Sequence, residues 1–248
     1  MVGYQQITID KQYTILGCNF KNADNTVYAI SNFIPYVEGM IKAKTDTGAD
    51  QIQVRTADGG YKVYFMCNGV VGKKNTYNAE LDGQWVDSDN LGSITTDTIA
   101  NGTGFWFVRP VADATAITVT VAGGVELLGS YTKQLNAQYT LNANPYPVAL
   151  PVANIPYAEG MVKAKTDTGA DQIQVRTADG GYKVYFMCNG VVGKKNTYNA
   201  ELDGQWVDSD SLGSVATGSI PAGQGFWYIK ADPTATFSLT FTSPVAQQ

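Results

Sequence analysis

Gln51-Ile52-Gln53-Val54-Arg55-Thr56-Ala57-Asp58-Gly59-Gly60-Tyr61-Lys62-Val63-Tyr64-Phe65-Met66-Cys67 is the stretch that decides the fold. Ile52, Val54 and Thr56 alternate with Gln51, Gln53 and Arg55, the period-two pattern of a strand with one wet face. Asp58-Gly59-Gly60 supplies residues that tolerate positive φ in a tight turn, and Tyr61 to Cys67 returns as the second arm of a hairpin. In that second arm the Cys67 thiol alternates onto the face of Tyr61, Val63 and Phe65, and Tyr64 falls on the opposite face with Lys62 and Met66.

The hairpin occurs twice. It lies inside residues 36–93, which reappear as 157–214, and the two stretches differ only at Val37/Ala158, Ile41/Val162 and Asn90/Ser211. Outside them the halves agree in pattern alone. Gly104-Phe105-Trp106-Phe107-Val108-Arg109 answers to Gly225-Phe226-Trp227-Tyr228-Ile229-Lys230, and Gln12-Tyr13-Thr14-Ile15 to Gln138-Tyr139-Thr140-Leu141. This is a tandem duplication, and it organises the rest of the reading. It divides the 248 residues into two domains, 1–127 and 128–248, each large enough to bury its own core.

Around the hairpin, each copy reads as a series of short strands. Tyr4 to Ile9 and Gln12 to Phe20 are β-like, residues 21–35 form an irregular polar loop, and Glu38 to Lys44 has room for one helical turn at most. Residues 68–84 read as a long loop or weak ribbon, and Gln84 to Asp87 as a short strand. Phe105 to Val108 is apolar on both faces and belongs at a sheet centre. Ile117, Val119 and Val121 point inward from an alternating strand, with Phe237, Leu239 and Phe241 as their partners in the second copy. Seven or eight short strands per copy indicate an all-β chain of two tandem β-sandwich or small-barrel domains.

Composition narrows the function classes. The net charge is −5, which argues against nucleic acid because phosphate neutralisation needs clustered Lys and Arg. Lys73-Lys74 and Lys194-Lys195 read as solvated loop dipeptides. The chain has no His, which removes Ser-His-Asp and Cys-His catalysis and His-ligated metals. No apolar run is long enough to span a membrane. Charged residues are 16%, and with abundant Gly, Thr, Asn, Ser and Tyr this suits an extracellular β protein. Met1-Val2-Gly3-Tyr4 carries no leader, so export implies a signal peptide absent from this sequence. The three cysteines leave two readings open: buried free thiols, or a Cys18–Cys67 bridge without a counterpart in the second copy.

The order Val2-Gly3-Tyr4, Gln12-Tyr13-Thr14-Ile15-Leu16, Asp50-Gln51-Ile52-Gln53-Val54, Gly102-Thr103-Gly104-Phe105-Trp106-Phe107 and Ile117 to Glu126 resembles a group of secreted bacterial tandem β-repeat proteins. Their units begin VGY…YTLI, continue through QIYVWD and PGTGFW, and end in a VTVTLSGEV-like strand. The second copy departs at Gly129-Ser130-Tyr131 and again at Ser243-Pro244-Val245. The resemblance implies export and a β fold; it brings no catalytic residues.

Two sets of residues are site candidates. Asp46, Asp50, Asp87 and Asp89, with Asp167, Asp171, Asp208 and Asp210, offer hard oxygens of the kind Ca²⁺ takes, although no segment has EF-hand spacing. Asp58 and Asp179 flank the same strand as Asp50 and Asp171 and belong with them, and the bland reading for the whole set is turn-forming Asp bonded to local N–H groups. Tyr64, Tyr77 and Trp85, with Tyr185, Tyr198 and Trp206, are the aromatic candidates for stacking on sugars or for an interface; for the face carrying Tyr64 and Met66, a second layer of the same domain is the bland alternative. Nothing places the pair of carboxylates that glycoside hydrolysis needs, and no enzyme is expected. The expected function is a secreted structural protein whose copies associate into a filament or surface layer through the terminal runs Tyr4–Ile9 and Thr236–Phe241. The alternative is a bivalent carbohydrate-binding or adhesive module.

Overall fold

The computed structural model describes residues 2–22, 27–71, 75–125, 129–193 and 196–245. The chain forms two compact units, Met1–Val125 and Glu126–Gln248, and both are almost wholly β. Lys73-Lys74 and Lys194-Lys195 lie outside the described residues.

Unit 1 contains β1 (Val2–Ile9), β2 (Tyr13–Gly17), β3 (Tyr28–Ala29), a single-turn helix α1 (Ile30–Phe33), β4 (Gln51–Arg55), β5 (Tyr61–Val71), β6 (Thr76–Asp87), β7 (Thr98–Ile99), β8 (Gly104–Val108) and β9 (Ile117–Gly124). Its main layer is a five-stranded antiparallel sheet in the order β2-β8-β4-β5-β6, and β1-β9 forms a separate two-stranded ribbon. Unit 2 repeats this with β10 (Ser130–Leu135), β11 (Tyr139–Ala143), β12 (Leu150–Pro151), β13 (Gln172–Arg176), β14 (Tyr182–Val192), β15 (Thr197–Asp208), β16 (Ser219–Ile220), β17 (Gly225–Ile229) and β18 (Phe237–Thr242). Its sheet runs β11-β17-β13-β14-β15, with β10-β18 as the ribbon.

The hairpin forms as its turn chemistry requires. Arg55 pairs with Tyr61, the Thr56 N–H donates to Gly60 O at 3.0 Å, and Gly59 takes φ +92°, a value open to glycine at little cost. The doubly apolar β8 lies between β2 and β4, with both neighbours hydrogen-bonded to it.

The main core of unit 1 fills the space between the five-stranded sheet and the ribbon. Leu16, Ile52, Tyr64, Met66, Trp85, Phe105 and Phe107 from the sheet meet Ile9, Ile117, Val119 and Val121 from the ribbon, with Ile30 and Phe33 of α1 closing one side. On the reverse face of the sheet a smaller cluster of Ala49, Phe65, Cys67, Leu81 and Val86 is covered by the segment before β4, which adds a parallel bridge from Ala43 to Cys67. β5 is therefore buried on both faces through its second half, which is why its apolar residues run on continuously.

Several local expectations change. Among the described residues of unit 1 an α-helical turn falls at Ile30–Phe33, inside the stretch expected to be irregular, and a 3-10 turn at Asp46–Gly48, while Glu38 to Lys44 has none. Residues 76–87 form one long strand, so the weak ribbon and the short strand are a single element. Tyr4–Ile9 is paired with Ile117–Ala122, and Phe237–Phe241 with Tyr131–Leu135. Each terminal run is thus already completed on one side within its own unit. The cysteines are free and buried, so the Cys18–Cys67 bridge does not form.

Candidate functional site

Four of the aromatic candidates are core residues. Trp85 is 1% exposed and Trp206 is 2%, and their indole N–H groups donate to Ile34 O and Ile155 O at 2.6 Å. Each ring meets another edge-on, Phe107 at 6.0 Å and Tyr228 at 6.1 Å between centroids. Tyr64 and Tyr185 are likewise buried. The cause is the ribbon: the face of β5 that carries Tyr64 and Met66 is the one packed against it. None of these four rings presents a face to a ligand.

Tyr77 and Tyr198 behave differently, each 59% exposed. The β5-β6 pairing shifts register between Met66 and Asn68 and again between Asn68 and Val70. Bulges of this kind re-aim side chains. Gly69 sits in the second shift with φ +78°, and Gly83, across from the first, takes φ +74°. The Tyr77 ring lies over Gly69 so closely that a Cβ there would stand 2.6 Å from its Cε2. Tyr36 lies near Gly83 more loosely, in ordinary contact at 3.5 Å from the position of a Cβ, and remains 43% exposed.

Between the two rings stands an ion pair. Lys42 Nζ donates to Asp82 Oδ1 at 2.7 Å, and the Tyr77 hydroxyl donates to Asp82 Oδ2 at 3.1 Å. The Lys42 ammonium also lies 5.1 Å from the Tyr36 ring centroid, within reach of its electron-rich face. The hydrogen bond from Lys42 holds the Asp82 carboxyl below the usual carboxylate range, and the same bond raises Lys42. Both groups therefore stay charged at neutral pH.

Unit 2 reproduces the cluster. Lys163 Nζ donates to Asp203 at 2.7 Å, the Tyr198 hydroxyl donates to Asp203 at 3.2 Å, and Lys163 lies 5.3 Å from the Tyr157 centroid. Tyr36, Lys42 and Asp82 were not singled out in the sequence. They belong to the duplicated stretch, but so do all their neighbours, and three separate segments meet here only because of the bulges.

The acidic candidates are dispersed and mostly engaged. Asp50 is fully buried and accepts from Ile41 N–H at 3.0 Å and Arg109 Nε at 3.2 Å. Asp171 accepts from the Tyr228 hydroxyl and the Ala231 N–H, both at 2.8 Å. Burial raises both carboxyls. Asp87 pairs with Lys62 at 3.1 Å and Asp208 with Lys183 at 2.7 Å. The Asp89 and Asp210 N–H groups donate to Asp87 and Asp208 at 3.0 Å, and Asp210 also reaches Lys183 at 3.2 Å. Asp46 and Asp167 accept from the next residue's N–H. Among the described residues, no three His, Cys, Asp or Glu converge as a metal group would. Asp50 and Asp171 face the protein interior, so neither offers its oxygens to an ion at the surface.

Compared with family models, with curated proteins and with solved structures, the chain matches none.

Proposed function

We propose that this chain is a secreted, bivalent carbohydrate-binding module, with one site per unit at Tyr36-Lys42-Tyr77-Asp82 and Tyr157-Lys163-Tyr198-Asp203. One observation carries the reading. Two tyrosine rings, 43% and 59% exposed, stand on either side of a partly exposed Lys–Asp pair, the more exposed one packed tightly on a glycine, and the whole arrangement occurs twice. Tyrosine suits this work because it offers a large rigid face at little entropic cost. Two sites on one chain raise retention on a polymer well above that of either site alone.

Retention on a panel of insoluble polysaccharides tests it. Wild type is retained by at least one polymer, and Tyr77→Ala with Tyr198→Ala elutes in the void. Retention unchanged in the double variant contradicts the assignment. Trp85→Ala is unsuitable as a probe, since truncating a core Trp costs about 3–5 kcal/mol.

A second reading, self-association into filaments or a surface layer, draws on the ribbons. Among the described residues β1 pairs only with β9, and Val2 and Tyr4 on it are 77% and 79% exposed. A second copy adding a strand along β1 would complete that edge. Concentration-dependent fibres in electron micrographs, lost on deleting residues 1–10, would favour it.

A further inference from the structure

We infer that each Tyr–Lys–Asp cluster holds one neutral pyranose ring by a pair of adjacent hydroxyls, and discriminates against acidic sugars. The inference rests on reading these clusters as glycan sites. An ammonium has three donors, and one Lys42 N–H is committed to Asp82 at 2.7 Å. A carboxylate has about four acceptor positions, of which Asp82 gives one to Lys42 and one to the Tyr77 hydroxyl. What remains is two donors and about two acceptors, enough to set one donor and one acceptor side by side toward a ligand. Adjacent ring hydroxyls match that pair, one accepting from Lys42 and its neighbour donating to Asp82.

Charge sets the discrimination. The cluster sums to zero, so it holds no excess cation to neutralise a uronate carboxylate or a sulfate. An anionic substituent drawn to Lys42 would stand beside the Asp82 carboxylate and be repelled by it. The tyrosines supply the apolar component, because the C–H face of a pyranose packs on an aromatic face. Their placement is built in before any ligand arrives. Tyr77 is held at its hydroxyl by Asp82 at 3.1 Å and underneath by Gly69, so little ordering cost falls on binding.

The same geometry stands in unit 2, where a Cβ on Gly190 would stand 2.6 Å from the Tyr198 ring. Both side chains of the ion pair stay partly open, Lys42 at 30% and Asp82 at 32%, which leaves their spare donors and acceptors within reach of a ligand.

The test is calorimetric titration of the full chain with soluble neutral β-glucan and β-mannan, with polygalacturonate and with dextran sulfate. Wild type, Asp82→Asn with Asp203→Asn, and Tyr77→Ala with Tyr198→Ala are compared after circular dichroism shows each folded. The expected result is binding of a neutral polymer, weakened about tenfold by the Asn pair and abolished by the Ala pair. Binding of only the anionic polymers, strengthened by the Asn pair, overturns the inference and leaves the glycan reading standing. Neutral binding that ignores the Asn pair also overturns it. Folded wild type that binds no polymer overturns both.

Discussion

Asp50 and Arg109 form an ion pair from which water is excluded, Nε to Oδ1 at 3.2 Å with the side chains 0% and 1% exposed. Arg109 also donates to backbone, with Nη2 on Gly39 O at 2.8 Å and Nη1 on Thr115 O. The pair therefore ties β4 and the end of β8 to two loops. Unit 2 solves the same problem with other residues. Lys230 replaces Arg109 and turns to Ala235 O, while Tyr228 replaces Phe107 and gives Asp171 the hydrogen bond that Arg109 gives Asp50. The two exchanges compensate each other.

That compensation is testable. Arg109→Lys alone leaves Asp50 short of a donor inside the protein and costs about 2–3 kcal/mol. Adding Phe107→Tyr restores a donor from the neighbouring strand position and recovers at least half of the loss. Urea unfolding of both single variants and the double variant measures the coupling. Strictly additive effects would contradict it.

Lys133 is a second place where the units part. It occupies the inward register of β10 opposite Leu239, where Ile7 stands opposite Val119 in β1. Burial pulls its pKa down to about 8. The folded value is below the unfolded one, so the charged form is disfavoured by folding. The resulting penalty is full below about pH 8 and is relieved as pH rises toward the ordinary lysine value near ~10.4. Lys133→Ile is expected to stabilise the protein at pH 7, on the order of 2 kcal/mol, and to flatten the stability profile between pH 8 and 10. An unchanged midpoint at pH 7 would contradict this.

The thiols give a simpler check. Cys18, Cys67 and Cys188 are all buried, and burial pushes the Cys18 thiol up to about 12, so none offers a thiolate at neutral pH. A disulfide reagent at pH 8 should label none in the native protein and all three in denaturant. Rapid native labelling would be inconsistent with this packing.

Gly69 tests how the site is built. A Cβ there meets the Tyr77 ring at 2.6 Å, and its φ of +78° is unfavourable for any side chain. Gly69→Ala should cost about 1–2 kcal/mol and displace Tyr77. Ligand binding should fall with it, while unit 2 keeps its own site.

How far the sequence goes can be seen residue by residue. The strict alternation of Ile117, Val119 and Val121 against Thr118 and Thr120 gives strand and buried face together, because only one side can be wet. Tyr61 to Cys67 is harder: Tyr64 and Met66 lie on one face and Phe65 and Cys67 on the other, and both faces are apolar. Which face meets the larger layer depends on where the ribbon packs, a long-range fact with no local signature. The same holds for Trp85. The site escaped for a different reason. Tyr77 was legible as an aromatic candidate, but Tyr36, Lys42 and Asp82 are unremarkable alone, and they converge with it through bulges at Gly69 and Gly83, whose register no periodicity records. Asp50 shows the reverse case, a residue noticed for its carboxylate and then found inside, paired with a distant arginine.

The central claim is that two equivalent tyrosine sites on one chain bind polymeric sugar. The most direct measurement is the stoichiometry of a short oligosaccharide of the retained polymer, titrated calorimetrically into wild type, Tyr77→Ala, Tyr198→Ala and the double variant. Two sites per chain are expected, with one left in each single variant at unchanged affinity and none in the double. Two sites persisting in the double variant would contradict it.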